Sequence, residues 1–156
     1  MADELQSVEA WLSPLLARLG GAERRALMTD IGRDLRRSQQ ARIARQENPD
    51  GTPYAPSKPR QMRGKGLRGK AGRVKRTAMF KKLRTAKFMK VEASAEGLAI
   101  GFRSRAAYVA RVHQEGLPER VARGGPEYTY PVRKLLGFSD TERERIIDQV
   151  LAHLVK

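Results

Sequence analysis

The sequence predicts an α+β fold with two N-terminal helices, a small antiparallel sheet, a C-terminal helix and a long basic flexible loop. Three observations support this prediction. Apolar residues recur at three- and four-residue spacing near both ends, short strand-like runs lie between them, and residues 52–76 have no apolar periodicity. A chain of 156 residues is long enough for one domain with its own core. We therefore expect residues 1–156 to form a single domain that contains the loop at residues 52–76.

Two helices are expected before the loop. Residues 4–19 form an amphipathic pattern in which Pro14 either kinks the helix or restarts it after a Ser13 cap. The apolar positions of this first helix are Leu5, Val8, Leu12, Leu15, Leu16 and Leu19. The second helix should span residues 22–46, with one apolar stripe at Leu27, Ile31 and Leu35. The run Asn48-Pro49-Asp50-Gly51 then predicts a helix stop and a turn.

The elements after the loop are shorter, except for the last one. Thr77 should cap a short helix through Lys87, with Met79, Phe80 and Leu83 facing inward. Strands are predicted at residues 88–94, 98–102 and 128–130, a helix at 106–115 that ends at Gly116, and a loop at 118–126. Ser139 and Glu142 form a capping-box pattern at the start of the final helix. Its predicted apolar face comprises Ile146, Ile147, Val150, Leu151 and Leu154.

The positive charge is concentrated in one part of the chain. The formal net charge is +15, yet no Asp or Glu occurs from Gly51 to Lys90, and this interval contains 14 Lys and Arg residues. The remainder of the chain is nearly neutral, with 18 basic and 17 acidic residues. Such a tract favours polyanionic partners, either nucleic acid or an acidic protein surface, although a solvated loop without a partner has the same composition. The candidate polyanion-binding residues are Lys58, Arg60, Arg63, Lys65, Arg68, Lys70, Arg73, Lys75 and Arg76.

No catalytic, metal or cofactor site is predicted. The run from Gly64 to Ala71 resembles a phosphate-binding loop, but it lacks a preceding strand and the Ser or Thr that would hold magnesium. His113 lies near Glu115 with no further catalytic partner in sequence, and His153 lies beside an apolar helix stripe. Cysteine is absent, which excludes disulfides and thiolate ligands. No apolar run approaches ~18 residues, so no membrane partner is expected.

Four segments, taken in order, resemble the phage virion morphogenesis or tail-completion family of temperate contractile-tailed phages. They are residues 36–46 continuing into Asn48 to Pro56, Met79 to Arg84, Val112 to Gly116, and Tyr130 to Ser139. The resemblance implies a non-enzymatic virion protein that completes the tail end or neck and enables head–tail joining. It also implies a small subunit with strands packed by helices, assembled as a homo-oligomer, with a hexameric ring expected.

The resemblance sets further expectations about partners. They are other phage neck, tail tube or sheath proteins and the DNA in the channel, in the virion and, during assembly, in the host cytoplasm. Segments that mix apolar residues with loop geometry are the candidate subunit interface: Val112, His113, Glu115, Tyr130, Arg133, Leu135, Leu136 and Phe138. The alternative is a free, sequence-nonspecific nucleic-acid-binding protein that acts through the basic loop. The tract has no aromatic residue between Tyr54 and Phe80, so base stacking is not expected there.

Overall fold

The computed structural model describes residues 17–57 and 78–155, together with residues 10, 13 and 14. Most of the predicted first helix and residues 58–77 of the predicted loop lie outside these residues. The described part contains three helices and four strands, in an α+β arrangement. In chain order they are α1 (Gly21–Arg45), β1 (Met89–Ala93), β2 (Leu98–Phe102), α2 (Arg105–Glu115), β3 (Pro118–Arg120), β4 (Glu127–Thr129) and α3 (Asp140–Leu154).

Helix α1 confirms the prediction for residues 22–46. It begins where the Glu23 carboxylate accepts a hydrogen bond from the Gly20 N–H at 2.9 Å, which satisfies one of the free amides at the helix start. Its buried apolar residues are Leu27, Ile31, Leu35 and Ile43. The helix ends at Gln46, which has a left-handed backbone with a φ of 64°.

The β1–β2 hairpin packs against α1. The strands pair antiparallel, with Val91 opposite Ile100, and a turn at residues 94–97 joins them. A Cβ on Gly32 of α1 would lie 2.5 Å from Cγ1 of Val91 and 2.7 Å from Cδ1 of Leu98. Glycine at this position therefore lets the helix backbone approach the hairpin closely.

The prediction of one small sheet is wrong, because the four strands form two separate two-stranded sheets. Strand β3 lies within residues 118–126, where the sequence predicts a loop, and pairs with β4 so that Glu119 lies opposite Tyr128. Pro118, Glu119 and Arg120 have low intrinsic strand preference, so only pairing with the tyrosine-bearing strand β4 makes this segment extended. The predicted strand at residues 128–130 corresponds to β4.

The predicted helix from Thr77 to Lys87 is also wrong. The described part of that segment is a series of turns, in which the Arg84 N–H donates to the Phe80 carbonyl at 3.2 Å. Phe80 has a φ of 62°, a conformation that no continuous right-handed helix can contain. Leu83 is nonetheless buried, and Met79 and Phe80 pack on the same core, so the predicted inward faces are confirmed.

The core consists of two buried clusters along α1. The cluster near its start joins Leu27, Ile31 and Leu35 to Val150 of α3, and the cluster near its end comprises Ile43, Tyr54, Leu83, Met89, Ala106, Ala110 and Leu135. The capping box of α3 is confirmed. Leu151, however, is 42% exposed, because Ile146, Val150 and Leu154 at four-residue spacing already form the face that packs on α1.

Candidate functional site

The turn after α1 is folded by its own side chains. The Asp50 carboxylate accepts hydrogen bonds from the Thr52 N–H at 3.0 Å and the Thr52 hydroxyl at 2.6 Å. These bonds from Thr52 hold the pKa of Asp50 below its usual value. The Asn48 amide donates to the Thr52 hydroxyl at 3.0 Å. The sequence prediction of a helix stop and turn is confirmed. These bonds do not use the side-chain oxygen of Asn48, which binds another segment of the chain.

Two amide side chains tie this turn to distant parts of the chain. Gln46 accepts from the Met79 N–H at 2.6 Å and donates to the Met79 carbonyl at 3.0 Å. Asn48 accepts from the Lys134 N–H at 2.9 Å, while the Tyr54 hydroxyl donates to the Lys134 carbonyl at 3.3 Å. Each pair of bonds satisfies both backbone groups of one residue, as a neighbouring strand would. Residues 79 and 134 are thereby fixed beside the end of α1.

The C-terminal end of α2 holds the segment at residues 130–139 in the same way. Gln114 accepts from the N–H groups of Leu135 at 2.7 Å and Leu136 at 3.0 Å, and it donates to the Leu136 carbonyl at 2.8 Å. Gly116 ends the helix as predicted, with a φ of 69°. A Cβ on Gly116 would lie 2.8 Å from Cγ2 of Val132, so glycine also permits close contact with this segment.

Arg133 is buried at the centre of the site and is only 3% exposed. It donates to the carbonyls of Ala55 at 2.7 Å and Pro56 at 3.1 Å, and its third bond joins Nη1 to Nδ1 of His113 at 3.1 Å. Because a guanidinium only donates, Nδ1 of His113 must accept, and the imidazole proton lies on Nε2. Burial, and then the Arg133 charge, lower the pKa of His113 to about 4, so the imidazole is neutral at physiological pH.

A row of edge-to-face aromatic rings borders this arginine. The ring centroids of Phe80 and His113, and of His113 and Tyr130, are each 4.8 Å apart, and those of Tyr128 and Tyr130 are 5.0 Å apart. These four rings line an open cavity of about 620 Å³. The cavity is also bordered by Ser57, Met79, Val121, Pro126, Glu127 and Arg133. An aromatic wall with one buried cation can bind an apolar segment that carries a negative charge.

A buried ion pair lies beneath the segment at residues 130–139. Nη1 of Arg42 lies 3.0 Å from a carboxylate oxygen of Glu142, and these side chains are only 5% and 1% exposed. Nη2 of Arg42 donates to the carbonyls of Gly137 at 3.1 Å and Leu135 at 3.4 Å. The pair therefore joins α1 to α3 and supports the segment that carries Arg133.

Comparison with known proteins identifies the family. The family model described as "Phage virion morphogenesis family" matches residues 3–155. The chain belongs to the phage virion morphogenesis family. It is similar to Tail completion protein S of Escherichia phage P2, at 40% identity over 153 residues that cover 97% of this chain and 98% of the relative. No solved structure matches the chain.

Membership in the phage virion morphogenesis family confirms two predictions. The resemblance rested on four segments, and the family model covers all of them. Those segments meet around the cavity, through the bonds of Gln46, Asn48 and Gln114. The family is one of virion morphogenesis proteins, so the prediction of a structural protein and not an enzyme is also confirmed.

The predicted site residues of this family member fall into three groups. All nine candidate polyanion-binding residues, from Lys58 to Arg76, lie outside the described residues. Among the predicted interface residues, three are buried within the subunit: Val112, Arg133 and Leu135. The others retain accessible surface: His113, Glu115, Tyr130, Leu136 and Phe138.

Sequence reasoning did not single out the amide side chains or the ion pair that build the site. Gln46, Asn48 and Gln114 are polar residues at element ends, where a solvent-exposed role is the usual expectation. A signal was available, since all three lie within the segments that carry the family resemblance. No helix in the described ranges is both long and apolar enough to cross a membrane. Nor do the described side chains include a cluster of three potential metal ligands.

Proposed function

We propose that this chain completes the phage tail at its end or neck and makes the tail competent to join the head. One observation carries the proposal: the similarity to Tail completion protein S of phage P2 extends over almost the whole of both chains. The site agrees with an assembly role, because its described residues form an apolar and aromatic cavity with accessible rims.

A phage from which this gene is deleted tests the completion role. Particles should be purified and imaged by electron microscopy. We expect filled heads and tails that remain separate, and restored joining when the protein is supplied from a plasmid. Particles with tails still joined to filled heads, in the absence of the protein, would contradict the completion role.

We also propose that the subunits form a homo-oligomeric ring, with six copies as the expected number. A ring needs two different surfaces on each subunit, each complementary to the other. Large apolar side chains are exposed around the cavity and on the adjoining face of α2: Val121 at 62%, Val132 at 50%, Tyr108 at 56% and Val109 at 36%. Together with His113, Glu115, Tyr130, Leu136 and Phe138, they are the surface available for neighbours. Native mass spectrometry should give the number of copies, and a chain that stays monomeric would exclude the ring.

The basic tract is proposed to contact a polyanion on the ring axis, either DNA or an acidic tube, sheath or adaptor protein. The described chain stops at Ser57 and resumes beside Met79, and both residues line the cavity. Both ends of the tract are therefore attached at one site on the subunit. The tract between these ends has nine Lys and Arg residues, so six copies would bring together 54 positive charges.

Replacing the nine Lys and Arg residues of the tract, the first of which is Lys58 and the last Arg76, with Ser or Gln tests the role of the tract. We expect the variant to fold and to assemble into the same oligomer, but to fail in joining tails to heads. Replacing six exposed Arg residues on α1 and α2 with Gln provides a charge control outside the tract: Arg25, Arg33, Arg37, Arg45, Arg105 and Arg111. Full activity of the tract variant would remove the tract from the proposed function.

The charge of the tract favours a second candidate, a free nucleic-acid-binding protein. Under this alternative the monomer binds duplex DNA, and its affinity falls by orders of magnitude between low and physiological salt. Deletion of residues 60–76 should then abolish function and leave the protein monomeric. Detection of the protein in purified virions would favour the tail-completion role over this alternative.

A further inference from the structure

The aromatic cavity contains a positive charge with no negative partner among the described residues. The guanidinium of Arg133 bonds only to two backbone carbonyls and to the neutral His113, which uses three of its five N–H groups. Glu127 lines the same cavity but is exposed and forms no ion pair with Arg133. Because a buried charge is normally paired, a carboxylate that enters this cavity would be bound favourably.

The segment attached to the cavity rim cannot supply that carboxylate. No Asp or Glu occurs from Gly51 to Lys90, so residues 58–77 contain none. The first 16 residues of the chain have the opposite character, since they contain no Lys or Arg and three carboxylates, at Asp3, Glu4 and Glu9. Six large apolar side chains accompany these carboxylates: Leu5, Val8, Trp11, Leu12, Leu15 and Leu16. This is an acidic and apolar segment, which matches a cavity with an aromatic wall and a buried cation.

We propose that residues 1–16 of one copy dock in the aromatic cavity of a second copy, with a carboxylate directed at Arg133. The proposal rests on the oligomer of the proposed function and names the contact between its neighbours. The docked residues and the cavity are different surfaces of the same chain, so the contact is head-to-tail and can close into a ring.

Docking within one subunit would require the segment to reach along most of α1. Leu19, directly after the segment, packs on the cluster of Leu27 and Val150 near the start of α1. The cavity adjoins the other end of α1, where Gln46 bonds to Met79. From Leu27 to Gln46 α1 rises by about 28 Å, whereas the predicted helix at residues 4–19 is only about 24 Å long. The cavity of a neighbour does not have this restriction.

The chain contains a built-in probe for this contact, because Trp11 is its one tryptophan. Its emission maximum and its quenching by acrylamide should be followed over a range of protein concentrations, alongside sedimentation velocity. We expect Trp11 emission to shift to the blue, and quenching to fall, over the same concentrations at which the oligomer forms.

Two variants remove the contact from opposite sides. Val121→Asp places a carboxylate on the cavity rim at a side chain that is 62% exposed, so folding should not suffer. The combined variant D3N/E4Q/E9Q removes the carboxylates of the docking segment. Each should weaken self-association by about tenfold or more, the usual effect of losing a charge-assisted contact, and should leave Trp11 open to quenching. Leu151→Asp on α3, which is 42% exposed and lies outside the cavity lining and the proposed interface, is the matched control and should behave like the unmodified protein.

The outcomes separate the docking contact from the ring. Shielding of Trp11 that is independent of concentration and unchanged by Val121→Asp would show that the segment packs on its own subunit, and the proposal would be wrong. An oligomer that persists in both variants would refute the docking contact while the ring stands. Exposed Trp11 within a formed oligomer would assign the cavity to another protein. A chain that is monomeric at every concentration would overturn the docking and the ring together.

Discussion

Replacing Glu142 with Gln should destabilise the fold far more than its conservative chemistry suggests. The carboxylate is buried, lies 3.0 Å from Nη1 of Arg42, and also accepts from the Ser139 N–H at 2.9 Å. A glutamine can keep the capping bond, but it leaves the buried Arg42 charge without compensation. Breaking one side of a buried pair costs about 3–5 kcal/mol, and the retained cap places this variant near 3 kcal/mol. For a chain of this size the melting temperature should fall by roughly 6–12 °C.

Urea unfolding followed by far-UV circular dichroism measures this cost. The control is Glu115→Gln, which breaks an exposed ion pair with Arg111 one helical turn away, at i, i+4 spacing. Their side chains are 69% and 47% exposed, so the loss should be about 0.2–0.5 kcal/mol. The double variant R42M/E142L should cost less than the sum of its single variants, because it leaves no buried charge unpaired. Equal effects of Glu142→Gln and Glu115→Gln would refute the reasoning.

Three further predictions concern other parts of the site and fold. The pKa of His113 is lowered to about 4 in the folded protein, so on acidification the unfolded chain binds a proton at this histidine before the folded chain does. The free energy of unfolding should therefore fall between about pH 6.5 and pH 4, by at most about 3 kcal/mol. In unfolding curves recorded over this pH range, His113→Asn should flatten the dependence. Gly32→Ala should destabilise by about 1–3 kcal/mol in urea unfolding despite better helix propensity, since its Cβ would lie 2.5 Å from Val91; a neutral result would contradict the close contact. Gln114→Ala should cost about 2–4 kcal/mol through three lost backbone bonds and raise amide exchange at Leu135, with Gln149→Ala as a milder control.

An element was predicted correctly where the residues that determine it lie close to it in the sequence. Helices α1 and α3 are long and periodic, and their ends are set by residues within one turn, so both were predicted nearly to the residue. The hairpin of β1 and β2 follows from two alternating runs and a short turn. Strand β3 has no such local cause, since its three residues are extended only because β4 lies beside them.

The prediction of a helix at residues 79–87 was wrong for a related reason. Its apolar spacing suits a helix, and the inward side chains were predicted correctly. Gln46 binds both backbone groups of Met79, and Phe80 then adopts a left-handed conformation that ends any helix at that point. The deciding interaction spans 33 residues of sequence, and no window of local periodicity contains it.

The cavity could not be predicted from the sequence for a similar reason. Periodicity detects apolar faces, whereas this site is assembled by side-chain amides and an arginine that bond to backbone groups of distant residues. What the sequence does retain is the resemblance of four separate segments to one family. Their meeting around Arg133 gives that resemblance a physical cause, because each segment supplies either a backbone group or the side chain that binds it.

The division of charge along the chain also has a consequence for assembly. Bringing several basic tracts together is unfavourable until counter-ions or a polyanion compensate them, and screening at physiological ionic strength acts over only about 8 Å. An oligomer of this chain therefore needs attractive contacts elsewhere. The acidic first 16 residues can provide one such contact with Arg133, which has no negative partner among the described residues, at the cavity that Ser57 and Met79 border. Under this arrangement the acidic segment balances charge between neighbours, and the tract charge remains available for the axial partner.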